Sequence, residues 1–107
     1  MDEASFVSLA EAEWRRIEGA LERCGLDLDL EPKADGVLEV GFADGSKVII
    51  NRHLAAREIW VAARSGGMHF SPDGDGRWIA RRDGAELYAA LSRVLGEQAG
   101  EAVTLVA

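Results

Sequence analysis

The chain has 107 residues, 48% of them hydrophobic, a single cysteine and a formal net charge of −7. That length fits one domain, residues 1–107, able to bury about two-thirds of its unfolded surface without covalent staples. The acidic balance excludes nucleic acid and anionic membrane surfaces as partners, and the lone Cys24 excludes an internal disulfide or a thiolate metal cage.

The first predicted element is a helix over residues 4–24. Phe6, Leu9, Ala10, Trp14, Ile17, Ala20 and Leu21 recur at helical spacing and form one apolar face. Asp2 or Ser5 is placed to cap its start, and Gly25 to stop it. Glu13 breaks the pattern, falling angularly between Leu9 and Phe6, so it must sit at the rim of the face or find a partner.

Charge is concentrated at this end: residues 1–35 hold ten acids and four bases, and residues 36–107 nine acids and eight bases. On a helix, Glu11, Glu18 and Glu22 point within about 40° of one another. Asp27, Asp29 and Glu31 alternate, which on an extended strand places all three on one face. Together with Glu3 these are the candidate metal-ligating residues. Like charges so gathered repel, which leaves two readings: a solvated acidic face, or a surface that binds something cationic. An all-oxygen set suits hard cations, iron in either oxidation state included, with calcium, magnesium or manganese competing. Binding of this kind is weak, partly hydrated and poorly selective.

From residue 37 the period changes to two. Leu38, Val40 and Phe42 share one side of the first segment, Asp44-Gly45 makes a turn, and KVIIN follows. EIWVAAR (58–64) is the next strand, with Gly66-Gly67 and MHF after it. Residues 71–76 are turn chemistry, and RWIAR (77–81) is a further strand. Such short connections require an antiparallel meander. Asp83 and Glu86 read as a capping box opening a second helix over about 84–96, and a VTLV tail packs along a helix. The expected fold is α+β: a two-layer sandwich with two helices on one face of a five- to six-stranded antiparallel sheet.

Catalytic patterns are absent. His53 and His69 stand in no ligand or triad spacing and read as surface or sheet residues, Cys24 as a small core residue, and Asp73-Gly74-Asp75-Gly76 as a hairpin loop. No enzyme activity is expected. The acidic amino-terminal segment has no apolar signal core and no run spans a bilayer, so a cytoplasmic setting is expected. Trp60 differs from these. Ile59, Val61 and Ala63 share one face of their strand, leaving Trp60 on the other; with helices on the Ile59 face, Trp60 stands on the open side as either an interface anchor or sheet cover.

Residues 45–70 resemble the central signature of the frataxin family in its bacterial form. The matching pieces are Gly45-Ser46-Lys47, Asn51-Arg52, Ile59-Trp60-Val61-Ala62, Gly66-Gly67 and Phe70, and the helix–meander–helix order matches across the chain, with Phe6, Leu9 and Trp14 in the first helix. His53, Ala55 and Glu58 occupy places where the family usually has Gln, Pro and Gln. Arg15, Arg16, Arg23, Gly19 and Cys24 dilute the acidic ridge of the first helix. The resemblance implies an iron-binding protein, an iron chaperone or regulator, that docks on the cysteine desulfurase during iron–sulfur cluster assembly. The cluster scaffold protein is a further candidate partner. It also implies a monomer capable of iron-dependent oligomers, with Glu18, Glu22, Asn51, Arg52 and Trp60 as partner-binding residues. The rival reading is an acidic protein-interaction module resembling a nucleic-acid mimic, in which cation binding is incidental.

Overall fold

In the computed structural model, which describes all 107 residues, the first helix starts where a carboxylate meets free amides. Asp2 accepts the Ser5 amide at 2.8 Å and caps α1 (Glu3–Arg23). That bond holds the Asp2 carboxyl below its usual range. Phe6, Ala10, Ile17, Ala20 and Leu21 are buried along one face. Leu9, expected on this face, is 41% exposed because it lies at the edge of the apolar sector.

Six strands follow: β1 (Asp29–Lys33), β2 (Val37–Gly41), β3 (Lys47–His53), β4 (Glu58–Ala63), β5 (Gly66–Pro72) and β6 (Trp78–Ala80). They form one sheet in chain order, every neighbouring pair antiparallel. The helix α2 (Leu87–Ala99) completes the two layers. Alternation turns Leu38, Val40, Val48, Ile50, Ile59, Val61 and Phe70 toward the helices, where they meet Leu87, Leu91, Val94 and Leu95 of α2. Each such fully buried side chain contributes about 1.5–3 kcal/mol relative to exposure. Phe6 meets Trp78 edge to face at 5.8 Å, tying α1 to the β6 end of the sheet. The tail packs as expected: Leu105 is buried and its amide donates to Ser92 Oγ at 2.8 Å.

Three local expectations are corrected. Asp27 lies before β1, because pairing with β2 starts at Asp29 opposite Gly41. β4, expected to run through Arg64, ends at Ala63, which pairs with Gly66, so Arg64-Ser65 is the turn and Gly66-Gly67 belong to β5. The cap of α2 is Glu86, not Asp83. An isolated bridge to Ile79 keeps Glu86 extended, and its carboxylate accepts the amides of Tyr88 and Ala89 at 2.9 and 3.0 Å. Asp83 instead accepts the Ala85 amide at 3.0 Å in the preceding turn.

Candidate functional site

The acidic residues occupy both layers of the sandwich. Glu3, Glu11, Glu18 and Glu22 lie on α1; Glu18 is half-buried and the others are exposed. Beyond the helix, Leu26, Leu28 and Leu30 pack on the core while Asp27, Asp29 and Glu31 stay exposed, so the outward alternation of these acids holds. Leu30 lies opposite the core-facing Val40, which puts Asp29 and Glu31 on the sheet face that no helix covers. The α1 acids and the β1 acids therefore belong to different layers. No three carboxylate, imidazole or thiol groups converge as a ligand set for a metal ion.

Counter-charges are distributed unevenly among these acids. Glu31 pairs with Lys33 at 2.9 Å, and Glu39 beside it takes Lys47 at 2.8 Å and Lys33 at 3.8 Å. Lys47 holds the Glu39 carboxyl below its usual range, and Glu31 holds Lys33 above its own. By contrast, Glu3, Glu11, Glu18, Glu22, Asp27 and Asp29 make no ion pair with any base. Uncompensated carboxylates on a surface raise the local affinity for any cation.

On the open face, Trp60 is one ring of three. Its indole stacks on His53 at 4.0 Å and 14° and on His69 at 4.2 Å and 8°. The register explains the stack, since His69 lies directly opposite Trp60 and His53 lies opposite Glu58, diagonal to Trp60. Glu58 fixes the ring edge: its Oε1 accepts the Trp60 Nε1–H at 2.8 Å, and its Oε2 accepts the Ser71 hydroxyl at 3.3 Å. His69 Nδ1 lies 3.7 Å from the same Glu58 carboxylate. His53 Nδ1 accepts the Ala56 amide at 3.1 Å, which orients that ring. Both faces of the indole are thus covered, and Trp60 is half-buried, opposite Asn51 of the neighbouring strand. The tryptophan is both held in place and presented.

Sequence reasoning set His53, His69 and Glu58 aside as site residues. The usable signal was register: a two-residue turn at 64–65 places residue 69 opposite residue 60. Arg52, grouped with Asn51 and Trp60 as a partner-binding residue, lies on the opposite face of the sheet from Trp60. It lies opposite the buried Ile59, and its guanidinium carbon sits 5.0 Å from the centroid of the Trp14 ring. Its Nε lies 2.7 Å from where a Cβ on Gly36 would stand, and Gly36 has φ +73, so only glycine fits beneath it. Of the five predicted partner-binding residues, Asn51 and Trp60 share one surface; Glu18 and Glu22 lie on α1, and Arg52 on the helix-facing side.

A model of the frataxin-like domain matches residues 1–101. A protein of Dechloromonas aromatica named iron-sulfur cluster assembly protein CyaY is 54% identical over 105 residues, covering 98% of this chain and 99% of that one. Its namesake in Ralstonia nicotianae is 48% identical over 110 residues, covering 100% and 96%. The solved structure of a frataxin from Psychromonas ingrahamii superposes with a TM-score of 0.87 at 30% identity, covering both chains fully. With the helix–meander–helix sandwich in place, these matches show that the chain belongs to the frataxin-like family.

Proposed function

We propose that this protein acts in iron–sulfur cluster assembly by binding iron weakly on its acidic surface and docking on the cysteine desulfurase complex, where it supplies iron or regulates the desulfurase. The observation that carries this reading is the set of carboxylates without counter-ions on α1 and before β1. Hard, hydrated cations such as ferrous and ferric iron bind carboxylate oxygens without a closed cage. The acids of α1 steer the chain toward a basic surface, and Trp60 with Asn51 supplies short-range contact on the open sheet. The names of the relatives place those proteins in the same process.

A second reading is an acidic interaction module whose cation binding is incidental. It draws support from the lack of convergence among the carboxylates. Parallel titrations with ferrous iron under anaerobic conditions and with the desulfurase, in one buffer at one ionic strength, separate the two. Iron-dependent NMR shifts that start in α1 and residues 27–31, together with saturable desulfurase binding, support the first reading. Desulfurase binding with no iron response at these residues supports the second, and absence of both overturns the proposal.

A further inference from the structure

The edge of β5 is left partly open, and the surface beside it has the opposite charge to the rest of the molecule. The Asp73 amide donates to the Arg77 carbonyl at 2.8 Å, so alternate residues of β5 direct their backbone groups toward β6. Ser71 meets Ile79 in this way. Two and four residues back, His69 and Gly67 point in the same direction, but β6 ends at Ala80, opposite Phe70. The chain then leaves the sheet: the Ala80 amide bonds the Ala85 carbonyl at 2.8 Å, and residues 81–83 turn away. The N–H and C=O of Gly67 and the N–H of His69 therefore meet no strand, while the His69 carbonyl faces the Arg81 amide that closes the Phe70–Ala80 pair.

Alongside this edge runs a cleft of 590 Å³ whose walls include Gly67, His69, Arg81, Arg82 and Arg93. Arg81 and Arg82 are exposed and make no ion pair. Arg93 reaches over the strand to within 3.6 Å of Met68 Sδ, with Glu97 at 3.2 Å from its guanidinium. The two acids of the cleft are already engaged, Asp83 with the Ala85 amide and Glu58 with Trp60 and Ser71. Gly67 carries no side chain to obstruct an approaching backbone. In a chain of net charge −7, this is a guanidinium cluster set against unpaired backbone groups.

We propose that the open edge of β5 at Gly67 and His69 receives an extended acidic peptide of a partner protein as an added strand, with Arg81, Arg82 and Arg93 binding its carboxylates. An added strand lies about 4.8 Å from β5 and forms backbone bonds to both residues. Arginine engages carboxylates through two parallel N–H donors, which fixes the register of the incoming chain. Arginines that served only to guard the edge against aggregation would show no preference for such a peptide. The surface is distinct from the acids of α1 and adjoins the stacked rings of the open face through His69 and Glu58.

The test is an NMR titration of the full chain, nitrogen-15 labelled, with a capped seven-residue peptide alternating glutamate and valine. Expected are saturable shifts led by the Gly67 and His69 amides and at least tenfold weaker binding by the double variant Arg81→Glu, Arg82→Glu. A lysine–valine peptide should not bind. The glutamate peptide methylated on alternate backbone nitrogens keeps its charge and should also lose at least tenfold. That comparison needs no variant protein, so it stands even where the double variant folds poorly. Equal binding by the methylated peptide means attraction by charge alone and overturns the proposal. It is equally overturned by shifts led from elsewhere or by silence at millimolar peptide. Concentration-dependent self-association without peptide, abolished by the double variant, would make a second copy the occupant and overturn it too.

Discussion

The Tyr88 hydroxyl of α2 donates to the carboxylate of Glu13 on α1, and this contact accounts for the one acid that breaks the apolar face of the first helix. Glu13 is only 4% exposed, and Arg16 one turn on donates to its other oxygen at 3.1 Å. The two helices are thereby joined by a charged hydrogen bond at their common border. Removing one partner strands the other, and a hydrogen bond to a buried charge is worth about 1.5–3 kcal/mol. Tyr88→Phe is expected to lower the stability measured by urea unfolding by that amount. Adding Glu13→Leu to it should recover part of the loss, since no carboxylate is then left without its donor.

The same pair makes the protein sensitive to alkali. Burial first, then the Glu13 carboxylate, push the Tyr88 phenol well above its ordinary value of 10.0. A group whose folded pKa is raised contributes stability that is whole below its unfolded pKa and lost as pH rises beyond it. Stability should therefore fall as the pH is taken above about 10, where the unfolded phenol ionises. Tyr88→Phe should flatten that part of the profile, as followed by urea midpoints at successive pH values.

At the acid end the sign reverses, and Asp44 is the group to watch. The Ser46 hydroxyl, then its amide, then Arg64 lower its carboxyl from 3.8 to about 2. The bonds are 2.6 Å from the hydroxyl, 2.9 Å from the amide and 3.0 Å from Arg64, so Asp44 joins the β2–β3 turn to the β4–β5 turn. Because the folded pKa is depressed, its contribution is present above pH 3.8 and fades as the pH drops toward 2. Asp44→Asn should remove part of the acid dependence in that window while leaving the neutral fold intact, as read by circular dichroism.

Trp60 is clamped by rings, and that changes what its loss should do. Each aromatic stack is worth about 0.5–1.5 kcal/mol beyond burial, so Trp60→Ala is expected to destabilise the domain by about 1–3 kcal/mol without unfolding it. His53→Ala and His69→Ala should each cost less. Under the proposed function, all three should speed dissociation from the desulfurase more than they slow association. A melting temperature unchanged by Trp60→Ala would contradict the stacked arrangement.

The acids without counter-ions predict a stability effect of their own. Millimolar divalent cation should raise the melting temperature more than sodium chloride at equal ionic strength, because binding adds to screening. Converting Glu11, Glu18 and Glu22 together to Gln should abolish the excess and leave the salt effect. Single changes should weaken cation binding only modestly, since neighbouring carboxylates share each ion. Equal effects of the two salts would make the acidic surface a solvated face and nothing more.

Much of this was legible in the chain itself. The core residues of α1, the meander and the inward set Val48, Ile50, Ile59 and Val61 follow from periods of 3.6 and 2, which backbone geometry imposes residue by residue. The same rule put Trp60 on the open face. It also put Arg52 on the core side with Ile50, a consequence that the adjacency of Asn51 and Arg52 in the sequence obscures. The central motifs and the order of elements were enough to reveal the resemblance to the frataxin family.

What the linear pattern could not settle were relationships across elements. Glu86 rather than Asp83 caps α2 because a bridge to Ile79 holds it extended, and no local pattern encodes that bridge. His53 and His69 became neighbours of Trp60 only when two hairpins set their registers, and Glu13 found Tyr88, 75 residues further along the chain, only when the two helices were packed together. The acids of α1 and β1, contiguous in the chain, were divided between the helix layer and the open sheet face for the same reason. Periodicity is a property of one segment, fixed by its own backbone. Register, packing angle and layer depend on the summed burial of many distant side chains, and those are decided only when the whole core closes.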